Sequence, residues 1–228
     1  MTMVILTING RGNRFLEAGI MTPKFMLEYK NTTVIKHIIA NLKSGFSADT
    51  NFHIGLNKIY IDYIPYLEKS FRELDMIHEI IILDDSKGQA DTVRVLVEKI
   101  GGANAAMWVV NCDTLVNNNW RFEYSMNDIV IEVFESNLPV YSYIDCLEKV
   151  SVIAEKKVIS NLASTGNYFF KDSKKFLELF YQSKYNGEIF ISDVIQEGID
   201  RKLSVIGNRV SSGSVKVLGT PIQYEKNI

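Results

Sequence analysis

The sequence predicts an α/β fold with a mainly parallel sheet and a small antiparallel elaboration in its second half, and three observations predict it. Short continuous apolar runs rich in β-branched residues recur through the first half, as in strands buried on both faces. Between them lie segments whose apolar residues recur at three-to-four spacing, the pattern of the helices in βαβ units. From Asp128 the strand candidates crowd together with little helix between them, as in antiparallel pairing.

Residues 4–8, Val-Ile-Leu-Thr-Ile, form the first strand, closed by Asn9-Gly10-Arg11-Gly12-Asn13. A helix is predicted over 33–43, where Val34, Ile35, Ile38, Ile39 and Leu42 make one stripe behind the capping candidates Thr32 and Thr33. Residues 52–56 read as a weak strand. A helical pattern over 59–74 follows, with Pro65 either in its first turn or at a kink. Residues 79–83 are another buried-strand run, broken at Asp84-Asp85-Ser86-Lys87-Gly88, and 91–100 resumes helical spacing. Strand 105–110 stops at Asn111-Cys112-Asp113. Strands are then expected at 129–134, 140–144, 150–155, 157–159 and 167–170, helices at 173–183 and 192–202, and short strands at 203–207 and 214–218. With no repeat or linker in view, residues 1–228 read as one domain.

The 228 residues carry 25 Lys plus Arg against 27 Asp plus Glu, a net charge of -2. Interspersed charges of both signs give no global field for a nucleic-acid backbone or an anionic membrane, so neither is expected as a partner. No apolar stretch reaches the ~20 residues that span a bilayer. Two cysteines are too few for a disulfide framework, which fits a cytoplasmic protein. Any bound anion must therefore be held locally.

The first local candidate is Asn9-Gly10-Arg11-Gly12-Asn13-Arg14. Glycines after a buried strand let backbone N–H groups approach an anion, and an arginine offers a planar fork to phosphate. Taken alone, the segment reads equally well as a solvated Gly-rich turn. It lacks the third glycine of a dinucleotide fingerprint and is not followed at once by a convincing helix pattern, and no Walker-type phosphate loop occurs. Lys24 after Pro23 reads, by itself, better as a snorkelling side chain than as a phosphate ligand. Asp113 alone reads as a turn residue and Cys112 as a small buried one. His37, His53 and His78 are scattered over predicted helix or loop positions and suggest structural or surface roles. Tyr60, Tyr63, Tyr66 and Phe71 suggest helix packing.

Taken together and in order, these segments resemble the sugar nucleotidyltransferases. Gly10-x-Gly12-x-Arg14 followed by Pro23-Lys24 is similar to the family's G-x-G-x-R and P-K signature. Gly88-Gln89-Ala90 resembles its nucleotide-binding G-Q-A segment, Asp113 its metal-holding strand-end aspartate, and Glu155-Lys156 its acceptor-binding pair. Thr165-Gly166-Asn167-Tyr168 is similar to the T-G-x-Y strand of the acceptor pocket, and Gly187-Glu188 through Asp193 to its G-E-x-x-I-T-D helix start. Gly219-Thr220-Pro221 resembles the closing D-x-G-T-P, with Val217 standing where the family has a second metal-holding aspartate.

The resemblance implies a Rossmann-like, glycosyltransferase-A-like sheet flanked by helices. It also implies a Mg²⁺-dependent transfer of a nucleotidyl group from an NTP to a sugar 1-phosphate or a small polyol or alkyl phosphate. On it, Arg14, Lys24, Asp113 and Lys156 are the catalytic group. Asn9, Gly10, Arg11, Gly12, Gly88, Gln89 and Ala90 meet the nucleotide; Glu155, Lys156, Thr165, Gly166 and Asp193 meet the acceptor; and Asp113 holds the metal. Residues 11–19, R-G-N-R-F-L-E-A-G, and 155–160, E-K-K-V-I-S, resemble small capsule-locus members; CTP is slightly favoured over UTP or GTP although no residue decides the base, and homo-oligomers are left open. A glycosyltransferase of the same architecture would want an Asp-x-Asp, which Cys112-Asp113-Thr114-Leu115 lacks. A non-catalytic nucleotide-sugar-binding protein is the remaining alternative.

Overall fold

In the computed structural model, which describes residues 2–101, 104–117 and 126–228, β1 (Thr2–Ile8) lies at the centre of a mixed sheet. It pairs in parallel with β4 (Asn51–Asn57) on one side and β6 (Ala106–Asn111) on the other, and β5 (His78–Leu83) closes the β4 edge, again in parallel. The alternation of β1 explains its place. Val4, Leu6 and Ile8 enter one hydrophobic cluster, and Met3 and Ile5 enter another on the opposite face. Both faces of a central parallel strand are covered, so each side chain is fully buried and contributes about 1.5–3 kcal/mol of transfer free energy.

Helix α2 (Val34–Gly45) covers the first face, with the Thr33 hydroxyl accepting from Lys36 N–H as its N-cap. A 3₁₀ stretch over Lys58–Tyr63 leads into α3 (Ile64–Arg72), and Pro65 sits in its first turn, where its missing N–H costs nothing. Phe71 and Tyr60 are buried in this cluster, so these aromatics do serve packing. On the other face lie α4 (Gln89–Lys99), α5 (Ser173–Gln182) and α6 (Ile191–Asp200).

The second half turns on β11 (Leu162–Phe170). Its far half pairs antiparallel with β6, while its near half pairs on the same side with β9 (Ser142–Ile144), to which β10 (Ile153–Glu155) is added. The register slips between Ser164 and Tyr168, so β11 changes neighbour across a bulge. On its other side runs β8 (Ile129–Glu135), antiparallel, and β12 (Val205–Arg209) joins β8 in parallel. Outside the main sheet, β7 (Thr114–Val116) pairs with β13 (Val215–Val217), and β2 (Glu28–Tyr29) with β3 (Thr32–Thr33).

Four expectations are corrected. Residues 157–159 form no strand: the chain leaves β10 through Lys156 in the left-handed region, φ 53°, which ends the extended run. The apolar run 79–83 is an edge strand, with Ile82 45% exposed, because no strand pairs beyond β5 among the described residues. A short helix, α1 (Asn13–Glu17), does follow the first glycine loop at once, since Gly12 at φ 72° supplies its start. His53 and His78 sit on β4 and β5, not on helices or loops. The chain closes on α7 (Pro221–Glu225).

Candidate active site

Four neighbouring parallel strands run out into Asn or Asp at one rim of the sheet: Asn9 after β1, Asn57 ending β4, Asp84 after β5 and Asn111 ending β6. Open α/β sheets bind ligands beyond these C-terminal ends. Here the rim opens into a cleft of about 710 Å³. The buried Asn9 side chain ties the loops together, its Nδ2 donating to Asp84 O at 3.1 Å and Ser86 Oγ at 2.9 Å. Asn57 Nδ2 donates to Asn9 O and to Asp85 Oδ1, both at 3.0 Å. Tyr60 Oη donates to Gly10 O at 3.2 Å or Arg11 O at 3.0 Å and so pins the glycine loop. Gly10 and Arg11 line the cleft, and the Arg11 fork is engaged by Asp85, with Nε–Oδ1 at 2.9 Å. That fork, with Asn57, holds the Asp85 carboxyl down at about 2.

Gly88 caps α4 at φ 123°, where a Cβ would meet Ile189 O at 2.5 Å. Gln89 then reaches across the rim to Asn111 Oδ1 at 2.6 Å and to Thr7 Oγ1 at 3.3 Å. Ala90 is fully buried and its N–H is spent on Ile189 O, so its contribution is packing.

A second cavity of about 200 Å³ adjoins the first. Lys24, Gln89, Asn111 and Asp113 line both. At this junction Lys24 Nζ stands 3.2 Å from Asp113 Oδ2. Burial pulls the Lys24 ammonium's pKa down, but the Asp113 carboxylate and the neighbouring Cys112 outweigh it and the net shift is upward. Asp113 itself is fixed by Leu218 N–H donating to its carbonyl at 2.7 Å. Cys112 lines the larger cleft with its thiol pushed up to about 12 by burial and by Asp113, which makes it a poor nucleophile.

The smaller cavity is lined by Arg14, Glu155, Thr165 and Gly166 among others. Arg14 therefore stands on this side of the junction, away from the larger cleft. Glu155 Oε2 accepts from Ser142 Oγ and from Ser192 Oγ, the latter at 2.8 Å. Lys156 lies just outside the lining, its Nζ 4.0 Å from Glu155 Oε1 and 4.3 Å over the Phe190 ring. Asp193 is not in the lining either: its carboxylate accepts from Phe190 N–H at 2.9 Å and caps α6, and burial raises its pKa. Gly12 sits beneath the Lys24 side chain. None of the three histidines lines either cavity; His37 bonds Tyr29 O at 2.8 Å, and His53 and His78 face Glu79 and Glu68.

No site role is read from the sequence for Asn57, Asp85, Ser142, Ser192 or the bridge from Gln223 Nε2 to Tyr141 Oη at 2.9 Å beside the smaller cavity, and Tyr60, expected only in packing, also pins the glycine loop. One signal was available for Asn57: a polar residue closing an apolar strand whose neighbours end the same way.

The structural neighbours of this chain are sugar nucleotidyltransferases, which share its mixed, mainly parallel sheet flanked by helices. A nucleoside-diphosphate-sugar pyrophosphorylase from Vibrio cholerae RC9 superposes with a TM-score of 0.85 and 27% identity, covering 99% of this chain and 98% of that one. UDP-glucose pyrophosphorylase complexed with UDP-glucose gives 0.80 and 18%, covering 100% and 97%. The inositol-1-phosphate CTP transferase from T. maritima gives 0.79 and 17%, covering 98% and 91%. No family model and no curated sequence matches the chain. Among the described residues no helix is long and apolar enough to cross a membrane.

Proposed function

We propose that the protein transfers a nucleotidyl group from an NTP to a sugar 1-phosphate or a small polyol or alkyl phosphate and releases pyrophosphate. The observation that carries this reading is the pair of adjoining cavities that share Lys24 and Asp113. A two-substrate displacement needs its nucleophile and its electrophile to meet at one charged point. An oxygen of the acceptor phosphate attacks the α-phosphorus, the bond from that phosphorus to the β-phosphate oxygen breaks, and pyrophosphate leaves with the electron pair. A phosphate monoester is already anionic at neutral pH, so no general base is required and the remote histidines are no obstacle.

The larger cleft takes the NTP, with the backbone of Gly10 to Gly12 and Gln89 toward its phosphates and base. Lys24 neutralises charge on the transferred phosphate, and Arg14 and Lys156 attend the acceptor phosphate. Glu155, held by two serines, Thr165 and Gly166 shape the acceptor side; Asp193 fixes the helix that carries Ser192.

Mg²⁺ fits this donor set in a reduced form. Asp113 is the only carboxylate among the four junction residues, Val217 brings none, and no cluster of three His, Cys, Asp or Glu exists among the described residues. Because Mg²⁺ is commonly held by one or two carboxylates with substrate phosphates and water, Asp113 suffices to hold it. Such an ion supplies charge neutralisation on phosphate oxygens.

Capsule or other surface polysaccharide is the favoured destination, on the resemblance of residues 11–19 and 155–160 to capsule-locus enzymes, and CTP is slightly favoured as donor with no residue that decides the base. The reaction belongs in the cytoplasm, where NTPs are kept. Incubation with each NTP, Mg²⁺ and a panel of sugar, polyol and alkyl phosphates, read as pyrophosphate release, tests the proposal; no release with any NTP sinks it. Val217 favours one second reading, a nucleotide-sugar-binding regulator. Calorimetry showing NTP binding without metal dependence or turnover would select it.

A further inference from the structure

Beneath the smaller cavity lies a buried polar cluster centred on Glu132, a carboxyl to which the reaction assigns no role. Glu132 on β8 has no exposed surface, and its Oε2 accepts from Thr165 Oγ1 at 2.9 Å and from Asn167 Nδ2 at 2.8 Å. Thr165 and Asn167 flank Gly166 in the bulge where β11 leaves β9 for β6. Thr165 Oγ1 also accepts from Asn167 N–H at 3.2 Å, and Ser164 Oγ from Gly166 N–H at 3.0 Å. Asn167 Oδ1 is buried with no hydrogen-bond partner, so this amide is oriented for Glu132 at the expense of its own oxygen.

Three apolar side chains would fill this space without the desolvation of a carboxylate, and a buried ionisable group is weak support for stability as such. What the cluster does supply is geometry. A carboxylate oxygen takes both donors at once and holds the two residues on either side of Gly166 in one arrangement. Gly166 is thereby pressed against the Asn111 side chain, and Asn111 carries Gln89. Asn111 and Gln89 line both cavities.

We propose that Glu132 is a positioning residue: through Thr165 and Asn167 it fixes the β11 bulge, and so sets the floor of the smaller cavity against the junction. The kinetic consequence rests on the nucleotidyltransferase reading; the structural one does not.

The test compares Glu132→Leu and Glu132→Gln by two readouts, KM for acceptor and NTP separately and hydrogen–deuterium exchange of the Gly166 and Asn167 amides. The Leu variant is expected to raise the acceptor KM about tenfold or more, leave the NTP KM within about twofold, and speed exchange at the bulge. The Gln variant keeps an oxygen acceptor and should recover most of both effects. Unchanged exchange and acceptor KM in the Leu variant overturn the inference, as does a parallel rise in both KM values that Gln does not relieve. Where the wild type turns over no NTP, the functional reading fails and the exchange data alone decide this one. Thr165→Val, which deletes one of the two donors, gives the same decision from exchange when the Leu variant does not fold: faster bulge exchange supports the role, and wild-type exchange overturns it.

Discussion

Replacing Gly166 with alanine perturbs the point at which the two cavities are set against each other. The residue has φ 89°, and a Cβ there would stand 1.7 Å from Nδ2 and 2.6 Å from Cγ of Asn111. Two costs follow. An alanine held in this sparsely populated region is strained by about 1–3 kcal/mol. Asn111 must also swing away, which breaks its 2.6 Å bond from Gln89 Nε2 at a net cost of about 0.5–1.5 kcal/mol. The sum is about 1.5–4.5 kcal/mol. For a domain of this length each kcal/mol lowers the melting temperature by roughly 2–4 °C, so a drop of about 3–18 °C is expected. Calorimetric or circular-dichroism melting of wild type and variant under identical conditions measures it. A drop below about 2 °C would refute the reasoning, because Asn111 and the backbone would then have room that the geometry denies them.

Lys24→Ala and Asp113→Ala should each lower pyrophosphate release at least about tenfold, or ~1.4 kcal/mol of transition-state stabilisation, and full activity in either would show its role to be misassigned. Tyr60→Phe removes the hydroxyl that pins Gly10 and Arg11; about 0.5–1.5 kcal/mol of stability in a urea titration should go, with KM rising for the NTP and not for the acceptor. Asp85 should titrate near 2 by carboxyl NMR and return toward the ordinary carboxylate range in Arg11→Ala; its contribution to stability, small because the pair is exposed, is present above its unfolded pKa and lost as pH falls through about 2. The Cys112 thiol, raised to about 12, should alkylate more slowly than Cys146 at pH 8 by peptide mass mapping, and its stabilising effect is present below the unfolded thiol pKa and lost as pH rises toward 12.

The strands of the first half were legible because burial on both faces leaves no choice of residue: Val4, Ile5, Leu6 and Ile8 face two cores at once. The edge position of β5 was hidden, since an apolar run does not say how many neighbours it has. The bulge in β11 left a trace in Thr165-Gly166-Asn167, but the partner that gives it meaning, Glu132, lies 33 residues from Thr165 between apolar neighbours of β8. Arg14, Lys24, Asp113 and Glu155 could be picked out by pattern, and all four line the smaller cavity. Ala90 and Asp193 share the motifs yet serve packing and capping, because a motif marks a segment and not which of its side chains faces the ligand.

The even balance of charge in the whole chain reappears inside the site in a form that bears on chemistry. Arg11 is paired with Asp85, Lys24 with Asp113, and Lys156 stands 4.0 Å from Glu155. Under the proposed reaction, a phosphate entering the junction therefore exchanges with a carboxylate for a cation that is already held in place. Exchanging one anionic partner for another is nearly balanced in energy, because the attraction lost to the carboxylate is replaced by attraction to a phosphate oxygen at similar distance. Pre-paired cations lose little side-chain entropy on binding, and they discriminate by geometry: a ligand gains only where its phosphates reach more than one of them at once. Lys24 is the most constrained case, since under the proposed reaction its release would free Asp113, the residue that would hold a divalent ion and so help neutralise phosphate charge. On that reading one 3.2 Å contact would link the arrival of a substrate phosphate at Lys24 to the availability of the Asp113 carboxylate, the one carboxylate among the four junction residues.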